Sequence, residues 1–449
     1  MEGISNRATP CGTAGAIICL LLPLPSAALA DCGVTKTGIP ADVVASLDPW
    51  GVRQAAANFG MSIGGIYYGE LFTNSGGVDQ GTEYDGALKL YTNADMHKLG
   101  LWDGLCFSAS AFQIHGNSIT AANVGSLMPV SSIEATDATR LFEVWFEQSL
   151  LNETVNVRFG QLAVDAEFIL SEGGAWFLNA TWGWPSIGAA NLPNGGPAYP
   201  LSAPAIRVAI TPNDTFGFMA AVYNGDPAGP NCTGDPQVCN NHGLDFRIGD
   251  PPLLFAEGVY RYNQEGRGGV IKFGGWNHFG EFNDQRFDSG GALIAVTSND
   301  GRPLDNTWGL YGVIDQWLWR MPGQEDKGAA VFARFIGAPE DRNLINFYAD
   351  TGLTLIGMLP NRPTDALAIG FAYTRISDDV HASDVDFGLP VARNYEALIE
   401  LTYTVQLRDG WTLQPDLQYI WQPGGKVTDD SGRRIKDAGI AGVRTTIQF

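Results

Sequence analysis

Strict alternation of apolar and polar side chains over the last fifty residues constrains the fold of this chain most. Between residues 399 and 407 every second side chain is apolar, and the same pattern resumes after the turn residues 408–410. A repeat of two residues is typical of a β-strand with one apolar face, and two such runs joined by a tight turn predict an antiparallel hairpin. A third alternating run ends on Phe449. The sequence therefore predicts a closed antiparallel barrel embedded in a membrane.

An export signal is predicted at the other end of the chain. Arg7 precedes an apolar stretch over residues 14–24, and the small-residue site Ala28-Leu29-Ala30 follows. A basic residue, an apolar core and a small-residue cleavage site are typical of a secretory signal peptide. Lipidation of Cys32 is disfavoured because Asp31, which is not a small residue, precedes it.

Three regions follow from these two patterns. We expect residues 1–30 to be a signal peptide and residues 31–59 to form a periplasmic segment with a short helix. We expect residues 60–449 to form the outer-membrane β-barrel.

The composition favours strands over helices as the membrane-spanning elements. No internal stretch approaches the roughly 18 consecutive apolar residues of a spanning helix. The chain has 12 Trp, 14 Tyr, 23 Phe and 56 Gly but only 17% charged residues, whereas soluble proteins average about 25%. Short links alternate with long Gly, Pro and Asn stretches, and the segment count predicts about 16 strands. The predicted fold class is therefore all-β, with a short N-terminal helix.

The net charge of −21 excludes one class of partner. Binding of nucleic acid needs clusters of Lys and Arg to contact phosphate, so we expect no nucleic-acid partner. The acidic excess is interpreted as solvated loops and turns. A pore that prefers cations or neutral solutes is the alternative interpretation.

Four cysteines remain after the predicted cleavage. Cys232 and Cys239 lie in a loop rich in Gly, Pro and Asn of an exported chain, which favours a disulfide between them. A metal site is the alternative, but no second pair of Cys or His with ligand spacing stands near, and we expect no metal. Pairing of Cys32 with Cys106 is compatible with the sequence but does not follow from it.

Charged and apolar side chains alternate in two strands predicted at residues 140–150 and 154–162. If Phe142, Val144 and Phe146 face lipid, the opposite face of this hairpin points into the lumen. The charged side chains on that face are Glu143, Glu147 and Arg158. Opposed charges across a lumen can form a polar track for solutes. A structural salt-bridge ladder on the wall is the alternative interpretation.

Asp165 and Glu167 follow the second of these strands and are further pore-lining candidates. Paired carboxylates also suggest glycoside hydrolysis. Both residues lie at a strand end, however, with no separately placed acid to set the separation that hydrolysis needs. We therefore predict that the protein is not an enzyme.

Aromatic side chains could bind the apolar faces of sugars. The candidates for sugar stacking are Trp182, Trp184 and Trp276, and the amide of Asn179 could bind sugar hydroxyls. The alternative is that most Trp residues belong to the aromatic girdles at the two membrane interfaces.

Short motifs recur in order from about Trp50 to the end of the chain. They are Trp50-Gly51-Val52-Arg53, Glu147-Gln148-Ser149, Gly160-Gln161-Leu162-Ala163, Glu167-Phe168, Gly195-Gly196-Pro197-Ala198-Tyr199-Pro200, Tyr223-Asn224-Gly225-Asp226-Pro227, Lys272-Phe273-Gly274-Gly275-Trp276, Asp315-Gln316, Ala338-Pro339-Glu340-Asp341-Arg342-Asn343 and Gln414-Pro415-Asp416-Leu417-Gln418-Tyr419. In this order they resemble the OprB family of carbohydrate-selective porins. The resemblance implies a sixteen-stranded outer-membrane channel through which sugars such as glucose diffuse, and a terminal Phe, here Phe449, that serves barrel assembly.

Charged residues within or beside the matched segments are the candidates for the constriction. They are Glu147, Arg158, Glu167, Arg207 and Arg334. The acidic balance of the chain and the loop between Cys232 and Cys239 depart from the pattern of the family, so glucose itself does not follow as the preferred sugar.

These observations predict a porin for passive diffusion of small saccharides across the outer membrane of a Gram-negative bacterium, without a cofactor. The expected partners are small neutral sugars, outer-membrane lipid and the barrel-assembly machinery, and a homo-oligomer is compatible with the sequence. A general or cation-preferring porin is the nearest alternative. A secreted carbohydrate-binding β-sandwich would share the exported strands, but it would not need a lipid-facing stripe.

Overall fold

Sixteen antiparallel strands close into a single barrel in the computed structural model, which describes Cys32 and residues 51–264, 267–429 and 431–449. Each strand pairs with its neighbours in sequence, and the first strand also pairs with the last. The predicted all-β closed barrel of about 16 strands is confirmed. The predicted signal peptide, residues 1–30, and most of the predicted periplasmic segment lie outside the described residues.

The strands are numbered in chain order. They are β1 (Met61–Gly77), β2 (Thr82–Asp95), β3 (Leu105–Gly116), β4 (Ala138–Leu150), β5 (Val155–Leu162), β6 (Ala203–Ile210), β7 (Phe216–Asn224), β8 (Pro252–Gln264), β9 (Arg267–Asp288), β10 (Gly301–Arg320), β11 (Gly328–Gly337), β12 (Ile345–Ile356), β13 (Ala366–Ile376), β14 (Tyr395–Arg408), β15 (Trp411–Trp421) and β16 (Lys436–Gln448).

The helical segments are short, and the first precedes the barrel as predicted. They are α1 (Val52–Asn58), α2 (Ser186–Asn191), α3 (Pro236–Cys239), α4 (Ile294–Thr297), α5 (Asp378–Asp386) and α6 (Pro423–Lys426). A π-helical turn covers Thr120–Val124, and 3-10 turns cover Val164–Ala166, Gly174–Trp176, Ala180–Trp182 and Pro193–Gly195. No helix within the described residues is long and apolar enough to cross a membrane.

The strands expose their apolar side chains and bury their polar ones. In β15 the exposed positions include Leu413, Leu417 and Tyr419, whereas Asp416 and Gln418 between them are 2% and 4% exposed. This is the inverse of a soluble sheet. It is expected where lipid surrounds the barrel, because hydrocarbon offers no partners for polar groups, which therefore face the interior.

The connections differ at the two ends of the barrel. One end carries short links such as residues 151–154 and 409–410, and the other carries long loops such as residues 117–137, 163–202 and 225–251. Outer-membrane barrels have short periplasmic turns and longer extracellular loops. The long loops therefore mark the extracellular end, and the predicted asymmetry is present.

The barrel closes where β16 pairs with β1. Phe449 exchanges two backbone hydrogen bonds with Gly65, at 2.8 and 2.9 Å between nitrogen and oxygen. Further along this seam Gly442 lies opposite Phe72. A methyl group at Gly442 would contact the Phe72 ring and come within 2.7 Å of the carbonyl oxygen of Leu71. The seam therefore needs a glycine at this position.

Replacing Gly442 with alanine is expected to weaken barrel closure. Overpacking against backbone that cannot move typically costs about 1–3 kcal/mol, so the urea midpoint of unfolding in detergent micelles should fall. Gly439→Ala is the matched control on the same strand, because its nearest neighbour would be Ser75 Oγ at 3.3 Å. Equal midpoints for the two variants would contradict this account of the seam.

Candidate functional site

The connection between β5 and β6, residues 163–202, folds into the barrel and is called the inserted loop. Its side chains pack on inward-facing residues of distant strands. Phe168 contacts Phe255 of β8 at 5.2 Å between ring centroids, and Trp182 contacts Phe332 of β11 at 5.8 Å. The inserted loop therefore narrows the lumen.

Carboxylates of the barrel wall hold the backbone of the inserted loop. The bonds run from the backbone N–H of Ile169 to Glu257 (3.2 Å), of Gly173 to Asp315 (3.1 Å), and of Leu178 and Asn179 to Glu400 (2.6 and 3.2 Å). Such bonds supply the partners that a buried loop backbone requires. Part of the acidic excess of the chain therefore has a structural role inside the barrel.

The loop between β3 and β4, residues 117–137, is held in the same way. Glu396 accepts hydrogen bonds from the backbone N–H of Leu127 and Met128, both at 2.9 Å, and from Ser126 Oγ at 2.6 Å. Arg444, paired with Glu70, donates to Ser131 of the same loop at 3.1 Å. Two loops are thus fixed against the inner wall.

Arg334 was predicted to line the pore, and the structure corrects this. Its side chain and that of its ion-pair partner Asp350 are both 0% exposed, with 2.5 Å between Nη2 and Oδ2. Arg334 also donates to the carbonyl oxygens of Ile169 and Thr181, each at 3.1 Å. Arg334 thus lies between the wall and the inserted loop and supplies donors to two buried carbonyl groups of the loop. It anchors the inserted loop to the wall.

Asn179, which was also predicted to line the pore, is buried like Arg334. It is 1% exposed, and its side chain accepts from the backbone N–H of Thr181 at 3.0 Å. Its amide donates to Met128 and Gln418. The amide is satisfied within the protein, so the predicted role toward sugar hydroxyls is corrected to a structural one.

Four of the predicted pore-lining residues form one closed set of ion pairs, called the ion-pair ring. The residues are Glu147 of β4, Arg158 of β5, Glu167 of the inserted loop and Arg207 of β6. Arg158 lies 2.9 Å from Glu147 and 2.5 Å from Glu167, and Arg207 lies 2.8 and 3.1 Å from the same two carboxylates. Each guanidinium thus contacts both carboxylates, and the ring carries no net charge.

The strand register explains why the ring needs two carboxylates. Arg158 and Arg207 are directly opposite each other on β5 and β6, and like charges in such a pair destabilise a sheet. Glu147 and Glu167 compensate them. The guanidinium of Arg158 also lies 3.9 Å from the ring centroid of Trp145, so the aromatic ring fixes its plane.

A second group of charges adjoins the ring. Glu143 accepts from the backbone N–H of Ala163 at 3.2 Å, and Asp165 accepts from that of Tyr199 at 3.0 Å. Lys89 of β2 is near enough for its charge to interact with both carboxylates. Lys89 was not among the residues predicted to line the pore. Residues two apart on a strand lie on the same face, so Lys89 faces inward with the buried Ala87.

A β-bulge in β4 changes which of its side chains face inward. Ser110 pairs with Glu143 but Ala111 pairs with Leu141, so Phe142 is the additional residue. Phe142 was expected to face lipid, yet it is 5% exposed and packs on Tyr199 inside the barrel. A bulge places two successive side chains on one face, and strict alternation cannot predict it.

Two of the sugar-stacking candidates are buried. Trp182 is 2% exposed, stacks on Phe177 at 4.5 Å and donates from Nε1 to Glu400 at 2.6 Å. Trp276 is 5% exposed and stacks between Phe255 and Tyr311. The faces of both indole rings pack on other aromatic side chains of the wall and the inserted loop. The prediction that these two residues stack on sugar is therefore wrong.

The third candidate, Trp184, is partly buried. Its Nε1 donates to the carbonyl oxygen of Gly195 at 3.0 Å within the inserted loop.

Four cysteines form two disulfides. Cys232 is joined to Cys239 in the extracellular loop that contains α3, and Cys32 is joined to Cys106 at the start of β3. The second bond joins Cys32 to the periplasmic end of β3.

Comparisons with known proteins agree with this geometry. The family described as "Carbohydrate-selective porin, OprB family" matches residues 79–449. Porin B of Pseudomonas aeruginosa is 22% identical over 416 residues, which cover 85% of this chain and 86% of that protein. The putative porin QuiX of Acinetobacter baylyi is 22% identical over 433 residues, covering 90% and 92%. The high-pH structure of Pseudomonas putida OprB has a TM-score of 0.79 at 21% identity, covering 90% of this chain and 97% of that chain.

The fold and the inserted loop define an outer-membrane porin. The chain belongs to the OprB family of carbohydrate-selective porins. Proteins of this family and fold are channels.

Replacing Arg334 with methionine is expected to loosen the inserted loop. Asp350 would remain as a buried charge without its partner, which typically costs about 3–5 kcal/mol, and the urea midpoint in micelles should fall. Arg375→Met is the control, since that arginine forms an exposed pair with Asp378 worth under about 1 kcal/mol. An unchanged midpoint for Arg334→Met would show that the buried pair does not hold the loop.

Proposed function

We propose that the ion-pair ring is the selectivity constriction of a porin for small neutral saccharides. The observation that carries this proposal is the neutrality of the ring. Two guanidinium groups and two carboxylates meet where the inserted loop packs on β4 to β6, and each guanidinium contacts both carboxylates. Glu143, Asp165 and Lys89 extend the same polar surface along the lumen.

The chemistry of the ring suits a polyol. Guanidinium groups offer several fixed N–H donors, and carboxylates offer acceptors. A sugar hydroxyl both donates and accepts, so a sugar can exchange its water for ring contacts in any of several orientations. An ion finds no net charge to attract it but must still lose hydration, so the ring favours neutral solutes.

Passage would be passive. The hydrogen bonds within the ring compete with those to the solute, so solute binding stays weak enough for release into the periplasm. The glucose-like sugars of the sequence prediction fit this mechanism.

The remaining sequence predictions belong to the same proposal. Residues 1–30 would direct export, and residues 31–59 would remain on the periplasmic side, where Cys32 binds Cys106. The barrel-assembly machinery would recognise the last strand through Phe449. Assembly into a homo-oligomer is compatible with the exposed apolar belt.

The proposal is tested by solute uptake into liposomes that contain the purified protein. We expect glucose to enter faster than an amino acid of similar size. Arg207→Gln should reduce this preference by about fivefold, or about 1 kcal/mol, because the ring would then carry a net charge of −1 and would lose guanidinium donors. Arg302→Gln is the control, because Arg302 pairs with Asp284 away from the ring.

Two outcomes would count against the proposal. Equal entry of both solutes through the unaltered protein would identify a general porin. Loss of the preference in Arg302→Gln as well as in Arg207→Gln would show that the ring is not its source.

A further inference from the structure

Strands β5 and β6 are the shortest of the barrel, and the wall is low where they end. Each has 8 residues, whereas β4 and β8 to either side of this region have 13. A strand needs about 9–11 residues to cross the hydrocarbon layer at the tilt of a barrel. Another part of the chain must therefore complete the wall on the extracellular side of β5 and β6.

Residues 242–250 of the loop between β7 and β8 cross this gap, and we call them the bridging segment. At one end, the carbonyl oxygen of His242 accepts a hydrogen bond at 3.0 Å from the N–H of Leu141, in the part of β4 that extends beyond β5. At the other end, the N–H of Asp250 donates to Asn224 Oδ1 at 3.0 Å, where β7 ends. The bridging segment thus runs from β4 to β7 over the ends of the two short strands.

The turn that precedes the bridging segment is fixed to the wall. The disulfide between Cys232 and Cys239 closes this turn. Within it, the carbonyl oxygen of Gln237 accepts from Arg140 at 3.3 Å, and its side-chain oxygen accepts from the N–H of Thr136 at 2.7 Å. The bridging segment therefore begins at a defined place beside β4.

Backbone N–H groups of the bridging segment find partners within the same loop. The N–H of Phe246 donates to the carbonyl oxygen of Leu244 at 3.2 Å, and that of Arg247 donates to Asp245 at 3.0 Å. The N–H of Asp245 donates to Asn240 Oδ1 at 3.4 Å. Backbone groups at membrane depth need partners inside the protein, because hydrocarbon supplies none. These bonds suit a segment that lies against lipid.

Three large apolar side chains of the bridging segment are exposed, and we call them the apolar patch. Leu244 is 61% exposed, Phe246 is 49% exposed and Ile248 is 85% exposed. Apolar side chains clustered on a surface mark a contact with a membrane or with another protein.

The bridging segment packs on the protein through a polar side chain. Arg247 pairs with Asp250 at 2.6 Å between Nη2 and Oδ1. Its guanidinium also lies against Gly229, where a methyl group would come within 2.7 Å of Arg247 Cζ. The carbonyl oxygen of Gly229 accepts from Asn194 of the inserted loop at 3.4 Å. The polar side of the segment thus faces the inserted loop, and the apolar patch faces outward.

The apolar patch continues a row of lipid-facing side chains. Phe159, Ile206, Val222 and Leu254 lie opposite one another on β5 to β8, and all are exposed. Asn224 continues the face of Val222 because it lies two residues further along β7. It is nevertheless 8% exposed, and its amide donates to Asp250 of the bridging segment at 2.9 Å. The segment therefore covers the outer face of the wall directly beyond this row.

The two ends of the bridging segment lie at the depth of the exposed apolar belt. Leu141 is opposite Ala111 of β3, whereas the exposed Tyr84 lies nearer the extracellular ends of β2 and β3. At the other end, Phe279 of β9 lies beside the start of β8 and is 56% exposed. Tyrosine side chains on the outer face of a barrel mark the membrane interface. The bridging segment thus lies on the membrane side of that interface.

We propose that the bridging segment completes the outer wall of the barrel and that its apolar patch lies in the outer leaflet, against lipid acyl chains next to the headgroups. Continuity with the lipid-facing row argues for lipid as the occupant. Asp245 is exposed between Leu244 and Phe246. It places the patch near the headgroups, because a charge on the lipid face costs less there than at the midplane. This inference does not depend on which solute the channel passes.

The test is nitroxide labelling of Phe246→Cys in the purified protein, reconstituted into phosphatidylcholine vesicles. Oxygen concentrates among acyl chains, whereas a water-soluble nickel chelate stays outside them. We expect the label to collide with oxygen and to lose its collisions with nickel, as a label in Phe273→Cys on the exposed face of β9 does. Val296→Cys is the matched control. Val296 is a 78% exposed apolar residue of the loop between β9 and β10, and its label should collide freely with nickel.

Two outcomes would overturn the proposal. Nickel collisions at residue 246 equal to those at residue 296 would place the apolar patch in water. Few collisions with either reagent, together with spin–spin broadening between labels on neighbouring molecules, would identify a second copy of the chain as the occupant. Ile248→Cys provides a second label on the patch in case Phe246→Cys does not fold, and insertion into bilayers as open channels shows that a variant has folded.

Discussion

Backbone hydrogen bonding in a lipid environment is the constraint on which the rest of the structure depends. Hydrocarbon cannot satisfy N–H or C=O groups, so every strand must pair on both sides and the sheet must close. The exchange between Gly65 and Phe449 completes that closure. Once apolar side chains face lipid, alternation directs polar and charged side chains inward. The polar interior is thus a consequence of closure.

The polar interior then makes an inserted loop possible. A loop that folds into a barrel brings backbone groups away from bulk water, and Glu257, Asp315 and Glu400 supply acceptors for them. Arg334 supplies donors for two carbonyl groups. The same residue types therefore do two tasks: charges that contact the loop hold it, and charges that contact one another form the ion-pair ring. The partners of each charge separate the two tasks, which composition cannot do.

The predictions from sequence succeeded where local periodicity decides the structure. The terminal hairpin at residues 409–410, the closed barrel and the long loops on one side all follow from two-residue alternation and from turn composition. Predictions failed where a tertiary partner decides. Arg334 was chosen for its charge and its place beside a matched segment, and Trp182 for its aromatic side chain. Both are buried where the inserted loop meets the wall, and no local pattern in the sequence predicts the position of that loop. Phe142 was misplaced because a bulge interrupts the alternation.

The sequence by itself determined the class of fold, the exposed apolar belt and the resemblance to one porin family, because these depend on the order of side chains along single strands. Only the tertiary structure decided which charges form the ion-pair ring. Glu147, Arg158, Glu167 and Arg207 come from three strands and a loop, and they meet because register and loop insertion bring them within hydrogen-bonding distance. Their mutual neutrality is a property of the assembled set, since charge pairing depends on distances in space that the order of residues does not contain.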